Sequence, residues 1–159
     1  MAELRPGDPA PDFTLDDQRG TPFHLADSLA ATKAPHFLYF YPKADTPGCT
    51  TQACGLRDVA AEVGDTVVVG VSPDPPARQA RFDEKYALGF PLLSDGDHAV
   101  AEAWGVWGER SMYGRKYMGI IRSAFLVAPD GRIAHAWYKV SPKDTPTKLL
   151  RALAEGVAR

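Results

Sequence analysis

Apolar positions in this chain fall into short unbroken runs separated by clusters of Pro, Gly, Asp and Thr. Phe37-Leu38-Tyr39-Phe40-Tyr41 is too short for a helix and predicts a buried strand. Thr66-Val67-Val68-Val69-Gly70-Val71-Ser72 predicts a second strand, covered on both faces. Near the start, Asp12-Phe13-Thr14-Leu15 and Thr21-Pro22-Phe23-His24-Leu25 flank Asp16-Asp17-Gln18-Arg19-Gly20, the pattern of a hairpin. Helices are expected over roughly 48–62, after Pro75-Pro76, from Asp97 to Trp104, and beyond Asp144-Thr145-Pro146. In the last of these, Leu149, Leu150, Leu153 and Val157 form one apolar stripe, the pattern of a helix lying on a core. Phe90-Pro91-Leu92-Leu93 reads as a short strand. Strands over 123–128 and 132–139 are joined by Pro129-Asp130-Gly131, a turn sequence.

The resulting order, β-α-β-α-β closed by ββα, fits an α/β thioredoxin-like fold. It implies a central mixed sheet flanked by helices, with the N-terminal β-hairpin as an extension. No repeat, low-complexity segment or linker interrupts the pattern, so residues 1–159 are expected to form a single domain. With 45% hydrophobic residues among 159, the chain can build one core. A formal charge of −2 gives no electrostatic reason for a nucleic-acid or anionic-membrane partner. No apolar run approaches the ~20 residues that span a bilayer. Met1-Ala2-Glu3-Leu4-Arg5 lacks a secretory pattern, which predicts a cytoplasmic protein. Two cysteines make no disulfide framework. In a reducing compartment a close pair is redox-active or metal-binding rather than structural.

Both cysteines lie in Tyr41-Pro42-Lys43-Ala44-Asp45-Thr46-Pro47-Gly48-Cys49-Thr50-Thr51-Gln52-Ala53-Cys54. Pro42, Thr46, Pro47 and Gly48 are turn and cap residues, so the chain passes here from strand to helix. Cys49 then falls in the first helical turn, where unpaired N–H groups and the positive end of the helix dipole favour an anion. That placement favours a nucleophilic thiolate. The competing reading, two inert buried thiols, leaves the caps around Cys49 unexplained. Thr46 also fits a plain cap and Pro42 a strand terminator. Gln52, one turn beyond Cys49, fits equally a brace for the site and a solvated helix position.

Pro42-x-x-x-Thr46-x-x-Cys49 resembles the P-x-x-x-T-x-x-C signature of peroxiredoxins. Cys54, in Cys-Thr-Thr-Gln-Ala-Cys-Gly-Leu-Arg-Asp, resembles the peroxiredoxin Q, or bacterioferritin comigratory protein, branch. The likeness extends from Pro9-Ala10-Pro11-Asp12-Phe13 to the terminal helix. Arg122, in Ile121-Arg122-Ser123-Ala124-Phe125, resembles the family's active-site arginine, although many relatives carry Thr where this chain has Ala124. The resemblance implies a peroxidase in which Cys49 attacks a hydroperoxide and becomes a sulfenic acid. Cys54 then resolves it as a disulfide, and a thioredoxin-like reductant restores the thiols. Thr46, Arg122 and the helix-start N–H groups would act as donors to the departing oxygen, and Pro42 would shield the sulfur. No metal or other cofactor is implied, and a monomer is expected.

Two other readings compete. A general thiol–disulfide oxidoreductase normally has two residues between its thiols, and here there are four. A Cu(I) carrier would use the thiolates with a histidine. The four histidines, His24, His36, His98 and His135, show no ligand spacing and receive no role. From Trp104 to Arg122, aromatic residues (Trp107, Tyr113, Tyr117) alternate with Arg110, Arg115 and Lys116. Basic–aromatic interleaving suits single-stranded nucleic acid, but Glu102 and Glu109 dilute it. A loop covering the active site is expected instead.

Overall fold

The structure, a computed structural model, describes residues 3–157. The chain begins with a hairpin, β1 (Thr14–Asp16) and β2 (Pro22–His24), followed by α1 (Leu25–Thr32). Then come β3 (His36–Phe40), α2 (Pro47–Asp58), β4 (Val67–Ser72), α3 (Pro76–Tyr86), β5 (Leu92–Ser94) and α4 (Ala99–Ala103). A second hairpin, β6 (Trp107–Met112) and β7 (Arg115–Ile120), precedes β8 (Ser123–Val127), β9 (Ile133–Trp137) and α5 (Thr145–Glu155). Seven strands form one sheet in the order β2-β1-β5-β4-β3-β8-β9, while β6 and β7 pair only with each other. The sheet is mixed: β3 is parallel to β4 and antiparallel to β8. Both edges of β3 are paired and both its faces are packed against a core, so every residue from His36 to Phe40 is buried, which explains the apolar run that starts at Phe37.

Side-chain alternation along β3 divides the core in two. Phe37, Tyr39 and Tyr41 face one side, where they meet Cys49, Ala53 and Leu56 of α2, Phe82 of α3, and Leu149 and Ala152 of α5. Leu38 and Phe40 face the other side, toward Leu25 and Leu29 of α1, Ala101 of α4, and Trp104. Gly70 in β4 leaves room for this arrangement. A Cβ there would come within 3.0 Å of the Tyr39 ring and 2.9 Å of Leu92 Cδ2. The sulfur-bearing helix therefore lies on the face of the sheet opposite Trp104.

Three sequence expectations need correction. Leu25–Thr32 forms a helix that was not anticipated, because in so short a segment the two core positions Leu25 and Leu29 are a single i,i+4 pair with no longer stripe. Helix α2 ends at Asp58, and turns occupy the following residues. The expected loop after Trp104 is a β-hairpin. Its strands pair in register from Trp107↔Ile120 to Met112↔Arg115, and Tyr113 (φ 52°) and Gly114 (φ 78°) close it. Two successive positive φ values are the turn geometry that matches strand twist, but Tyr is an unusual first residue for it, and Gly114 alone does not mark the turn. Trp104 is fully buried in the core, Trp107 stacks on His98 at 3.8 Å, and Tyr113 is 98% exposed. Among the described residues no helix is long and apolar enough to cross a membrane.

Candidate functional site

Register explains how residues 73 positions apart meet. Phe40, the last residue of β3, pairs with Ser123, the first of β8. The chain leaving β3 toward α2 and the chain arriving at β8 therefore occupy the same end of adjacent strands. Pro42 stands half-buried just past β3. Thr46 is the N-cap of α2, extended at φ −99°, with Pro47 at the first helical position. Proline is favoured there because its missing N–H has no intrahelical acceptor anyway.

Cys49, 1% exposed, lies in the first turn of α2. The N–H groups of Gly48 and Cys49 precede the first intrahelical bond, Thr50 N–H to Thr46 C=O at 2.8 Å, and so have no acceptor within the helix. Arg122 Nη2 approaches Cys49 Sγ at 3.4 Å, and Arg122 Nη1 donates to Gln52 Oε1 at 2.7 Å. Gly48 makes room for this cation, since a Cβ there would stand 3.2 Å from Arg122 Nη2. Cys49, Arg122 and the helix start are thus brought together. Gln52 is fully buried and braces the guanidinium, which decides the alternative that the sequence left open. Gln52 Nε2 in turn donates to Thr145 Oγ1 at 2.9 Å.

Thr46 differs from its expected role. Its hydroxyl makes no side-chain cap bond and donates to Lys43 C=O at 2.7 Å. With its one proton engaged, it can offer a bound molecule only lone pairs. The donors of the site are then Arg122 and the helix-start N–H groups. Cys54 is half-buried further along the same helix, and both thiols are free.

The turn before Cys49 is held from beneath by a buried polar network that sequence reasoning missed. Asp74 Oδ2 accepts from Ala44 N–H and from Ser72 Oγ, both at 2.7 Å. Gln79 Nε2 donates to Ser72 Oγ and to Leu93 C=O, and Gln79 Oε1 accepts from the Tyr41 hydroxyl. Burial pushes the Tyr41 phenol far up, so it remains a neutral donor. Asp45 adopts a left-handed φ of 58°, which Asp tolerates better than most residues. Its carboxyl, held down by the Lys85 ammonium and then by the Tyr86 hydroxyl, accepts from both at 3.0 Å. Nothing in the spacing of Ser72, Asp74 and Gln79 marks them, because they reach the turn only through the β3–β4 pairing. Within the same core the Tyr39 hydroxyl, fully buried, has no hydrogen-bond partner among the described residues.

The chain and its fold have relatives among known proteins. The model of the AhpC/TSA family matches residues 6–136. The chain is 49% identical over 139 residues to peroxiredoxin Bcp of Escherichia coli, covering 86% of this chain and 87% of the relative. A crystal structure of peroxidoxin BcpB from Mycobacterium tuberculosis superposes with a TM-score of 0.84 at 37% identity, covering 98% of this chain and 100% of the other. The Xanthomonas campestris bacterioferritin comigratory protein, solved in trapped intermediate and ligand complexes that bear on its alkyl peroxide reduction activity, superposes at 0.82 with 35% identity over 90% of each chain.

The support under the turn is testable without reference to catalysis. Asp74→Ala strands the Ala44 N–H and the Ser72 hydroxyl in a buried setting, at about 1–3 kcal/mol for each unsatisfied group. Urea denaturation should show that loss, with amide exchange accelerated at Ala44. Asp74→Asn, which keeps one acceptor oxygen, should lose less.

Proposed function

Because the chain belongs to the AhpC/TSA family, as a thiol-dependent peroxidase of the peroxiredoxin Q or Bcp kind, we propose that Cys49 is its peroxidatic residue and Cys54 its resolving residue. The observation that carries this is the guanidinium of Arg122 at 3.4 Å from the Cys49 sulfur, at a helix start that also favours an anion. The thiolate attacks one peroxide oxygen in line. The S–O bond forms as the O–O bond breaks, and the leaving hydroxide or alkoxide departs as water or alcohol after taking a proton. Arg122 and the free N–H groups near Cys49 stabilise the charge that moves onto the departing oxygen. Thr46 accepts a hydrogen bond from the incoming peroxide, and Pro42 keeps water from the sulfur. Cys49 is left as a sulfenic acid. The Cys54 thiol condenses with it, releasing water and forming a disulfide that a thioredoxin-like dithiol reduces. Hydrogen peroxide and, by analogy with the Xanthomonas protein, alkyl hydroperoxides are the substrates. We place the enzyme in the cytoplasm as a monomer.

Helix geometry adds a requirement to the resolving step. Both cysteines lie on the one continuous helix α2. Five residues of ideal helix separate their Cα atoms by about 8.6 Å and turn the side chains about 140° apart. A disulfide needs Cα atoms within roughly 4.4–6.8 Å. No rotamer change closes that gap, so resolution requires α2 to unwind around both sulfurs.

Three outcomes test these assignments. Cys49→Ser should abolish peroxide consumption, whereas Cys54→Ser should consume about one equivalent and stall as a sulfenic acid or over-oxidise, read by intact mass and thiol count. The reverse pattern would exchange the two roles. Arg122→Met should slow peroxide attack by more than tenfold, in line with loss of a charge-assisted contact of about 1.5–3 kcal/mol. Arg122→Lys should recover only part, lacking the planar fork that serves Cys49 and Gln52 together. Amide exchange across 46–60 should be slow in the reduced protein and fast in the disulfide form. Equal protection in both states, with the disulfide confirmed by mass, would rule out the unwinding step.

A further inference from the structure

A primary amide can aim a guanidinium only if the correct end faces it. The two ends of Gln52 have nearly the same shape, but one accepts and the other donates. Reversed, Gln52 would set its NH2 group against Arg122 Nη1, donor against donor, and the brace would be lost. What fixes the correct end lies at the start of α5. Thr145 Oγ1 donates to Ser141 C=O at 2.8 Å, and a carbonyl can only accept. The single hydroxyl proton is thereby used, and toward Gln52 the oxygen presents lone pairs alone. Gln52 must therefore turn Nε2 to Thr145, at 2.9 Å, and Oε1 to Arg122, at 2.7 Å. Both Gln52 and Thr145 are 0% exposed, so bulk water is not available to replace either partner.

We propose that Thr145 is a positioning residue for the reaction at Cys49: through the amide of Gln52 it fixes the direction in which Arg122 meets the sulfur. This rests on the reading of Cys49 as the atom attacked by peroxide. Packing of the backbone holds the arrangement in place. A Cβ on Gly55 of α2 would stand 2.8 Å from Pro146 Cγ, so the start of α5 is docked onto α2 at glycine distance. Val140 N–H donates to Arg122 C=O at 2.9 Å, and Pro142 Cγ lies 3.5 Å from the position of a Cβ on Gly48. Residues 140–146 thus hold both ends of the Arg122–Gln52 pair. The chain of donors runs one way only, from Arg122 to Gln52, from Gln52 to Thr145, and from Thr145 to the Ser141 carbonyl.

The test is the single-turnover rate of Cys49 with hydrogen peroxide, in the reduced full-length protein, for Thr145→Val, Thr145→Ser, Gln52→Met and the double variant Thr145→Val/Gln52→Met. Thr145→Val keeps the shape but removes the lone pairs, and should lower the second-order rate constant at least fivefold. Thr145→Ser, which retains the hydroxyl, should stay within twofold of the wild type. In the Gln52→Met background, Thr145→Val should have no further effect, because no amide is left to orient. A purely structural loss at α5 would persist in that background, so the double variant separates the two causes. A wild-type rate in folded Thr145→Val, or an undiminished effect of Thr145→Val on Gln52→Met, overturns the proposal. If Thr145→Val does not fold, Thr145→Ala takes its place with the same outcomes. A wild-type protein that does not consume peroxide overturns the reading of Cys49 itself, an outcome visible before any variant is made.

Discussion

A guanidinium stands 3.4 Å from a sulfur that is almost completely removed from water, and most of the surrounding structure can be understood as holding that contact. For Cys49 to react as the thiolate proposed above, an anion must be held out of water, at a cost of several kcal/mol even after a protein relaxes around it. The available compensations are individually smaller. A helix N-terminus contributes about 0.3–1 kcal/mol at exposed positions and up to ~2 when partly buried. A hydrogen bond to a charged group contributes about 1.5–3 kcal/mol. No one of them suffices, so the helix start and the cation must act on the same atom. That is a demand on topology as much as on composition. It is met by the β3–β8 pairing, which brings the start of α2 and Arg122 to the same end of the sheet.

Around that contact, rigidity and mobility are divided between different elements. The turn from Tyr41 to Thr46 is tied to β4 and α3 through Asp74, Ser72 and Gln79, whose polar atoms are paired with one another, with backbone, with the Tyr41 hydroxyl and with Arg78. Satisfied buried networks of this kind hold one geometry. Helix α2 is less firmly committed. It carries Gly48 and Gly55, which weaken helices, and it shares a core with Tyr39, whose buried hydroxyl has no partner among the described residues. The platform under the cysteine is fixed, whereas the helix that carries it has a composition compatible with opening.

How much could be read from the sequence varied with the range of the interaction. The strands 36–40 and 67–72, the Cys49 helix start and the closing ββα unit were all legible, because runs, caps and turn residues are local signals. Cys49 was placed by its neighbours Thr46, Pro47 and Gly48. Arg122 was not placed in this way: its position beside the sulfur comes from sheet register, and only the resemblance to a family singled it out. Gln52 remained ambiguous because helix periodicity does not say which neighbour will cover a face, and here α5 does. Thr145 read as part of a helix start, which it is, while its second partner across α2 left no trace in spacing. The β6–β7 hairpin was missed because its turn uses Tyr113 where Asn or Asp is the usual signal.

The order in which the parts of the site occur along the chain has a consequence for synthesis. A ribosome makes the protein from its N-terminus, so the thiol of Cys49 emerges with α2 well before β8 exists to deliver Arg122, and earlier still than Thr145. Contacts this distant form only after the intervening loop has been closed. A nascent or truncated chain therefore holds the cysteine without its cation, and in the role proposed for Cys49 the sulfur is armed only when the whole sheet has assembled.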